Sequence, residues 1–170
     1  MAMEDQVDRL LGQWARERPE LDCSSLSVVV RVQYLAKLCQ KEAERALLRL
    51  GLRMWEYDVL SALRRQGTPF QMPATALARA SMLTSGAMTN RIDRLEARGL
   101  VARAAEPSDR RGVNVRLTER GRQLIDQAIE ARLTAADSQL GALSGTERRT
   151  ASAVLRKVLL AAGDGGRQQP

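Results

Sequence analysis

The chain has 170 residues, a net charge of +7, two cysteines and no histidine. The lack of histidine excludes imidazole acid–base catalysis, Ser-His-Asp hydrolysis and imidazole metal sites, and two cysteines cannot form a structural zinc centre within one chain. No apolar run reaches the ~18 residues of a membrane span, and the acidic start of the chain lacks the features of a secretory signal. We therefore expect a cytoplasmic protein that is not an enzyme, with no catalytic residues, no metal, no cofactor and no membrane partner.

The first segment is predicted to be an amphipathic helix. It should run from about Glu4 to Arg18, because Pro19 cannot continue a helix. Its apolar residues recur at helical spacing and form one stripe, at Val7, Leu10, Leu11 and Trp14.

Two further helices are expected before residue 70. Ser24 or Ser25 should cap a long helix that reaches residue 50, where Gly51 ends it. Cys39 lies on the apolar side of this helix, so we expect it to be a small core residue. The second helix should span Met54 to Arg65.

A helix-turn-helix is predicted to follow. Ala74 to Ser81 has the pattern of a short helix, and Met82 and Leu83 form a tight connection. Thr84 should be the N-cap of a second helix that runs to about Arg98.

The second helix of this motif has an apolar and a polar side. The apolar side should face the core and consists of Met88, Ile92 and Leu95. The polar side can enter a DNA major groove, since Gly86 allows close approach and Thr89 and Asn90 can hydrogen-bond to base edges. Arg91 flanks the apolar stripe, so its charge should point back into the protein, where it needs a partner.

Two short β-type runs follow the helix-turn-helix and predict a wing. Gly99 closes the helix, and the runs are Leu100 to Ala104 and Val113 to Leu117. A polar turn over residues 106–112 should join them.

Positive charge is concentrated around this motif. Between Arg79 and Arg122 there are ten arginines against five acidic residues, so these 44 residues hold +5 of the net +7. Clustered arginines neutralise phosphates, so we predict salt-dependent binding to double-stranded DNA. The predicted DNA-contacting residues outside the wing are Thr84, Ser85, Gly86, Thr89, Asn90 and Arg94.

Two more helices should complete the chain. Thr118 should cap a long helix that fades near Gly141, and Ser144 with Glu147 should form a capping box for the last one. Their aliphatic faces, like those of the first helices, suit helix-on-helix packing, so we expect a homodimer. The second helix of each helix-turn-helix is the recognition helix. In the dimer the two recognition helices would lie about 34–36 Å apart and read a pseudo-palindromic DNA site.

The predicted fold is mainly α with a small β-hairpin wing: a winged helix-turn-helix with a helical dimerisation region. We divide the chain into N-terminal helices (1–50), a DNA-binding lobe (51–118), C-terminal dimerisation helices (119–162) and a disordered tail (163–170).

Two segments resemble the winged helix of the MarR family of bacterial transcription regulators. They are Ser85–Val101 and Pro107–Thr118, the latter with an Asp-Arg-Arg motif followed by Leu-Thr-x-x-Gly, and the resemblance extends over about residues 5–162. It implies a ligand-responsive DNA-binding regulator. It also implies that Arg110 or Arg111 enters the minor groove and that Asp109 pairs with a neighbouring arginine to hold the hairpin.

A narrower resemblance is carried by the segment from Trp14 to Asp22 on the added N-terminal helix. This segment is similar to the urate-responsive PecS/HucR-type branch of that family. The resemblance implies a ligand site that binds urate or a related purine or aromatic anion and releases a repressor from DNA. Its four residues would be Trp14, Asp58, Arg91 and Arg103. Such a set suits the ligand, since tryptophan offers a flat face and arginine offers charge with paired donors.

Other interpretations of the same residues stay open. Trp14 could be only a packing anchor, and Asp58 with Arg91 could be only a structural ion pair. Cys23 lies just ahead of a helix N-terminus, a position where thiols are often reactive, so a redox-sensing repressor of the same family is the alternative function. A helical scaffold or an enzyme would show no salt-sensitive binding to duplex DNA.

Overall fold

The computed structural model describes residues 4–106 and 109–163, and gives the backbone alone where these ranges fall within 105–112. The described chain contains a three-stranded sheet and seven helices. The strands are β1 (Gln71–Pro73), β2 (Val101–Glu106) and β3 (Asp109–Leu117). The helices are α1 (Gln6–Glu17), α2 (Ser24–Leu48), α3 (Met54–Arg64), α4 (Ala74–Ala80), α5 (Ser85–Ala97), α6 (Glu119–Gln139) and α7 (Gly145–Ala161). The mainly helical winged helix-turn-helix fold expected from the sequence is confirmed.

The chain forms two compact units, one ending at Arg132 and one beginning at Leu133. The first contains α1 to α5, the sheet and most of α6, and the second contains the end of α6 and α7. Within the described ranges, no helix combines the length and apolar character needed to cross a membrane.

The core of the first unit buries the predicted apolar side of α5. Met88, Ile92 and Leu95 are at most 2% exposed, and they meet residues from α3, α4 and the sheet, including Leu60 and Val115. Burying such side chains contributes about 1.5–3 kcal/mol each. This packing fixes which side of α5 remains available to a partner.

The sheet contains one strand that the sequence did not reveal. β1 pairs antiparallel with β3, which pairs with β2, giving the order β1-β3-β2. With three residues, β1 is too short to show the alternation by which strands are recognised. The wing strands are also longer than predicted, because backbone pairing, which does not require apolar side chains, continues to Glu106 and resumes at Asp109. The predicted turn over 106–112 is therefore shorter.

The predicted cap of α2 is wrong. Cys23 occupies the N-cap position without a side-chain cap hydrogen bond. Neither Ser24 nor Ser25 is needed there, because the Asp22 carboxylate accepts a hydrogen bond from the Ser24 amide at 2.9 Å. That hydrogen bond lowers the pKa of Asp22. The helix also ends at Leu48 rather than at residue 50.

Cys39 is exposed, so its expected place in the core is wrong. It shares α2 with a series of apolar residues that the single chain also leaves exposed, namely Val28, Val29, Val32, Leu35 and Leu38. The apolar spacing indicated an apolar face correctly, but among residues 4–106 and 109–163 of one chain that part of the face stays exposed.

α1 and α2 form a helical hairpin. Asp5 caps α1 through the amides of Val7 and Asp8, and Arg31 on α2 donates to Asp5 at 2.8 Å and to Asp8 at 2.6 Å. The hydrogen bond from Arg31 is the largest cause of the lowered Asp5 pKa, which is about 2. The start of α1 is therefore fixed beside Arg31, inside the first third of α2.

The start of α6 is joined to the base of the wing. The Thr118 hydroxyl donates to the Gly99 carbonyl at 2.7 Å and accepts from the Gly121 amide at 3.0 Å, as its predicted capping role requires. A Cβ on Gly121 would lie 1.9 Å from the Leu100 carbonyl oxygen. Only glycine allows these backbones to come this close.

Gly121→Ala should therefore lower the free energy of unfolding by about 1–3 kcal/mol, because the Leu100 backbone would have to move. Gly86→Ala is the matched control, since open space surrounds that helical glycine and alanine has the higher helix propensity, worth about 0.8–1 kcal/mol. Urea unfolding followed by circular dichroism measures both. An unchanged midpoint for Gly121→Ala would contradict the close approach.

Candidate DNA interface and ligand pocket

The outward side of α5 is open to a DNA partner. Thr84 caps the helix by accepting the Ala87 amide at 3.3 Å, as predicted. The hydroxyl of Thr89 donates to the Ser85 carbonyl at 3.0 Å and keeps acceptor capacity for a base edge. The predicted DNA-contacting residues of this helix are all exposed: Ser85, Gly86, Thr89, Asn90 and Arg94.

The wing follows α5 directly, and its base is tied to that helix. Arg103 on β2 donates to the Asp93 carboxylate at 2.5 Å and forms a second ion pair with Glu96. Its backbone amide also donates to Glu96 at 3.2 Å. The hydrogen bond to Asp93 is the largest cause that raises the pKa of Arg103. The predicted wing residues Asp109, Arg110 and Arg111 lie on β3, and their side chains are outside the described residues.

The end of α5 is anchored to α3 through a buried carboxylate. Glu56 is 4% exposed, accepts the Arg53 amide at 2.7 Å and pairs with Arg98 at 2.5 Å. Arg98 also donates to the Gly51 carbonyl at 3.0 Å. A buried carboxylate is costly unless it is paired, so this arrangement requires Arg98 to stay in place.

A second charged group lies on the inward flank of α5. Arg91 is half-buried, with its guanidinium 5.5 Å from the centre of the Trp55 ring, the inward direction expected from its position. Asp58 lies one turn after Trp55 on α3. Desolvation by the surrounding protein raises the pKa of Asp58, although the positive charges of Arg132, Arg91 and Arg65 act in the opposite direction. One carboxylate thus lies among three guanidinium groups.

The structure brings together two of the four predicted ligand residues. Asp58 and Arg91 belong to the same charged group, which we call the Asp58 cluster: Asp58, Arg65, Arg91 and Arg132 with Trp55. Arg103 is held instead by Asp93 and Glu96. Trp14 lies on α1 and is 44% exposed.

Sequence reasoning missed Arg65 and Arg132. Arg132 lies 4.8 Å from the centre of the Tyr57 ring and donates to the Met54 sulfur at 3.3 Å. It is more than 70 positions from Asp58 in the sequence, so no local spacing links the two residues. Arg65 is seven positions after Asp58, which places both residues on the same side of the helix, and this spacing was the available signal.

An open cavity of about 540 Å³ lies between the end of α2, the start of α3 and the C-terminal half of α5. Trp55 is the one member of the Asp58 cluster among its lining residues. Other lining residues are Leu48, Leu52, Arg53, Arg94 and Arg98. An aromatic ring with several guanidinium groups suits a planar anion.

The two cysteines are free thiols. Cys23 is half-buried at the start of α2, and Cys39 lies sixteen residues further along the chain, which corresponds to ~24 Å at the helical rise. A disulfide needs Cα atoms within about 7 Å, so these two cannot pair within one chain.

Comparison with known proteins identifies relatives over nearly the whole chain. Residues 50–112 match the MarR family model. The HTH-type transcriptional regulator PecS of Dickeya dadantii is 30% identical over 158 residues, which cover 93% of this chain and 95% of that protein. The HTH-type transcriptional repressor NicR of Pseudomonas putida is 33% identical over 104 residues, covering 61% and 64% of the two chains.

Solved structures support the same fold. AbsC, a MarR family transcriptional regulator from Streptomyces coelicolor, superposes with a TM-score of 0.73 at 24% identity, covering 88% of this chain and 98% of its own. A MarR variant from E. coli, solved with operator DNA, gives a TM-score of 0.65 at 23% identity and covers 86% and 97%. PecS matches this chain over nearly the whole length of both proteins, and the polar side of the helix-turn-helix is exposed. The chain therefore belongs to the MarR family of winged helix-turn-helix transcription regulators.

Proposed function

We propose that this regulator is a homodimeric repressor that binds a pseudo-palindromic promoter site and is released by a small planar anion such as urate. The observation that carries the proposal is the position of Arg91. Its backbone belongs to the recognition helix α5, while its side chain lies over Trp55 in the Asp58 cluster. A ligand that changes the contacts of Arg91 therefore acts on the helix that reads DNA.

The DNA contacts divide into two kinds. Thr84, Ser85, Gly86, Thr89 and Asn90 would lie in the major groove, where side chains distinguish base pairs. Arg94, Arg110 and Arg111 would neutralise phosphates or enter the minor groove, and Asp109 would hold the hairpin of the wing. The exposure of the helical residues supports this assignment.

A homodimer is supported by apolar surface on both units. On the first unit, the exposed residues of α2 include Val28 and Leu35, which are 58% and 55% exposed. On the second, α7 exposes apolar residues along its length: Val154, Leu155, Val158, Leu159 and Leu160. Contiguous apolar surface of this kind marks an interface, and a two-fold dimer would cover both copies of each patch.

The ligand chemistry follows from the charges of the Asp58 cluster. Three guanidinium groups around one carboxylate leave an excess of positive charge that an anion can use. The carboxyl group of Asp58, whose pKa desolvation raises, can accept hydrogen bonds from the N–H groups of a purine. The similarity to the urate-responsive branch supports urate as the first ligand to test.

Release from DNA would follow from differential affinity. In the free protein, Arg103 pairs with Asp93 and Glu96, and Arg91 lies over Trp55. A ligand that attracts both arginines would move α5 and the base of the wing, and thus favour a dimer whose helix spacing does not fit the groove. A coupling free energy of about 1–3 kcal/mol corresponds to a 5- to 150-fold change in DNA affinity.

DNA binding should be specific, and steeply weaker at higher salt. Asn90→Ala should cost about 1–3 kcal/mol of binding free energy at the operator, because it removes a base contact.

Arg111→Ala should reduce the slope of log affinity against log salt by about 1, because it removes a phosphate contact. Gln127→Ala, on an exposed position of α6, is the control. Fluorescence anisotropy with the promoter region upstream of the gene measures each; affinity independent of salt would contradict a phosphate-based interface.

Urate should release the wild-type protein from DNA, whereas Arg91→Ala and Asp58→Ala should respond at least tenfold less. Both substitutions change the Asp58 cluster that the ligand is proposed to use. Arg149→Ala, which removes an exposed arginine on α7, should respond like the wild type. The readout is the urate concentration that halves DNA binding. Equal release of all three variants would refute the site assignment.

Redox sensing through Cys23 is the alternative, and the N-cap position of this half-buried thiol favours it. Cys23→Ser separates the two functions. The urate model expects this variant to keep the full urate response. The alternative expects mild peroxide to release the wild type reversibly and to have no effect on Cys23→Ser.

A further inference from the structure

We propose that Met82 is a specificity-determining residue that contacts the 5-methyl group of a thymine in the DNA major groove. Met82 lies in the short connection between α4 and α5. The inference rests on the proposed insertion of α5 into the groove, and it adds an apolar contact to the polar contacts of that helix. It follows from the backbone conformation and the exposure of Met82.

The backbone of Met82 adopts a conformation that suits glycine better than methionine. Its φ is 51°, in the left-handed region, where the Cβ of an L-residue crowds the carbonyl oxygen. The Met82 amide donates to the Arg79 carbonyl at 3.0 Å, and the Leu83 amide donates to the Ala78 carbonyl at 2.9 Å. This pair of hydrogen bonds is a Schellman motif, in which glycine usually occupies the left-handed position. The turn therefore needs the conformation but not the side chain.

Phe70 shows how such a conformation is compensated elsewhere in the described chain. It also has a left-handed φ, of 59°. Its ring packs against the core and lies 4.8 Å from the guanidinium group of Arg64. The side chain of Met82, by contrast, is 95% exposed. Packing within the chain thus explains a bulky residue at position 70 and does not explain one at position 82.

Met82 also stands apart from the apolar surface that the proposed dimer would cover. The other exposed large hydrophobic residues of the described chain are between 39% and 64% exposed, and most of them lie on α2, α6 and α7. Met82 belongs instead to the helix-turn-helix. A strained and almost fully exposed apolar residue in this motif indicates a contact with the partner that the motif binds.

The surroundings of Met82 fit duplex DNA. Arg79, Thr84 and Ser85 are exposed close to it in the chain, and such side chains suit phosphates and base edges. Two Cα–Cα steps of ~3.8 Å separate Met82 from Thr84, so the methionine side chain can reach a base next to those that the start of α5 would contact. The methyl group of thymine is the apolar group that base edges present in the major groove. Met82 would therefore favour thymine at one position of each half-site.

Met82→Gly and Met82→Asn remove the apolar side chain without disturbing the turn. Glycine and asparagine both tolerate the left-handed conformation, so neither variant should lower the midpoint of urea unfolding. Both should bind the operator about fourfold to fifteenfold less tightly for each half-site, the effect of exposing one or two buried methyl groups. Met82→Leu keeps an apolar side chain of similar volume and should bind nearly as tightly as the wild type.

The thymine contact is tested by removing the methyl group from the DNA. The promoter region upstream of the gene is amplified with dUTP in place of dTTP, which keeps base pairing and deletes every thymine methyl group. Fluorescence anisotropy at equal salt then gives four affinities, for the wild type and Met82→Gly on each DNA, which form a double-mutant cycle. The loss caused by Met82→Gly on thymine DNA should disappear on uracil DNA. An equal loss on both DNAs, or no loss on thymine DNA, would overturn the inference.

Asn90→Ala separates a failure of this inference from a failure of the proposed function. If Asn90→Ala weakens operator binding and Met82→Gly does not, Met82 makes no contact and α5 still reads the groove. If neither variant weakens binding, the proposed groove contacts of α5 are rejected as well. Single thymine-to-uracil exchanges in a synthetic operator complete the test, because one exchange in each half-site should abolish the difference between the wild type and Met82→Gly.

Discussion

The position of the recognition helix α5 depends on charged contacts along its two flanks. Towards α3, Arg98 pairs with the buried Glu56, and Arg91 lies over Trp55. Towards the wing, Asp93 and Glu96 hold Arg103. Hydrophobic burial sets which side of α5 faces inward, but it is not directional. Ion pairs and ring contacts have defined geometry, so they determine where the reading side points.

These contacts also make α5 responsive. Glu56 is buried and its pairing with Arg98 is costly to disrupt, so that end of the helix is the fixed one. Arg91 is half-buried near the desolvated carboxylate of Asp58, and a bound anion can compete for it. A helix that is anchored at one end and free to adjust at its middle can change its orientation in the major groove. In the proposed dimer, two such helices would read one site, so a small change in each would be enough to weaken binding.

Local patterns predicted the helices and the helix-turn-helix, because Met88, Ile92 and Leu95 repeat at a spacing that burial enforces. The partners of charged groups could not be predicted in this way. Arg103 pairs with Asp93 and Glu96, and Arg132 approaches Asp58 across more than 70 residues of sequence. The prediction that Cys39 lies in the core was wrong, since Cys39 is exposed. An apolar stripe on a helix shows that this face packs against something, but it does not show whether the same chain or a second one covers it.

The most direct test is whether urate and operator DNA weaken each other's binding by the same factor. If urate lowers the affinity for operator DNA by a given factor, DNA must lower the affinity for urate by the same factor. Urate titrations of the free protein and of the saturated operator complex, at equal salt, measure this factor independently. The account predicts a 5- to 150-fold weaker urate affinity in the complex, equal to the loss of DNA affinity. Equal urate affinity with and without DNA would show that the pocket and the recognition helix are not coupled.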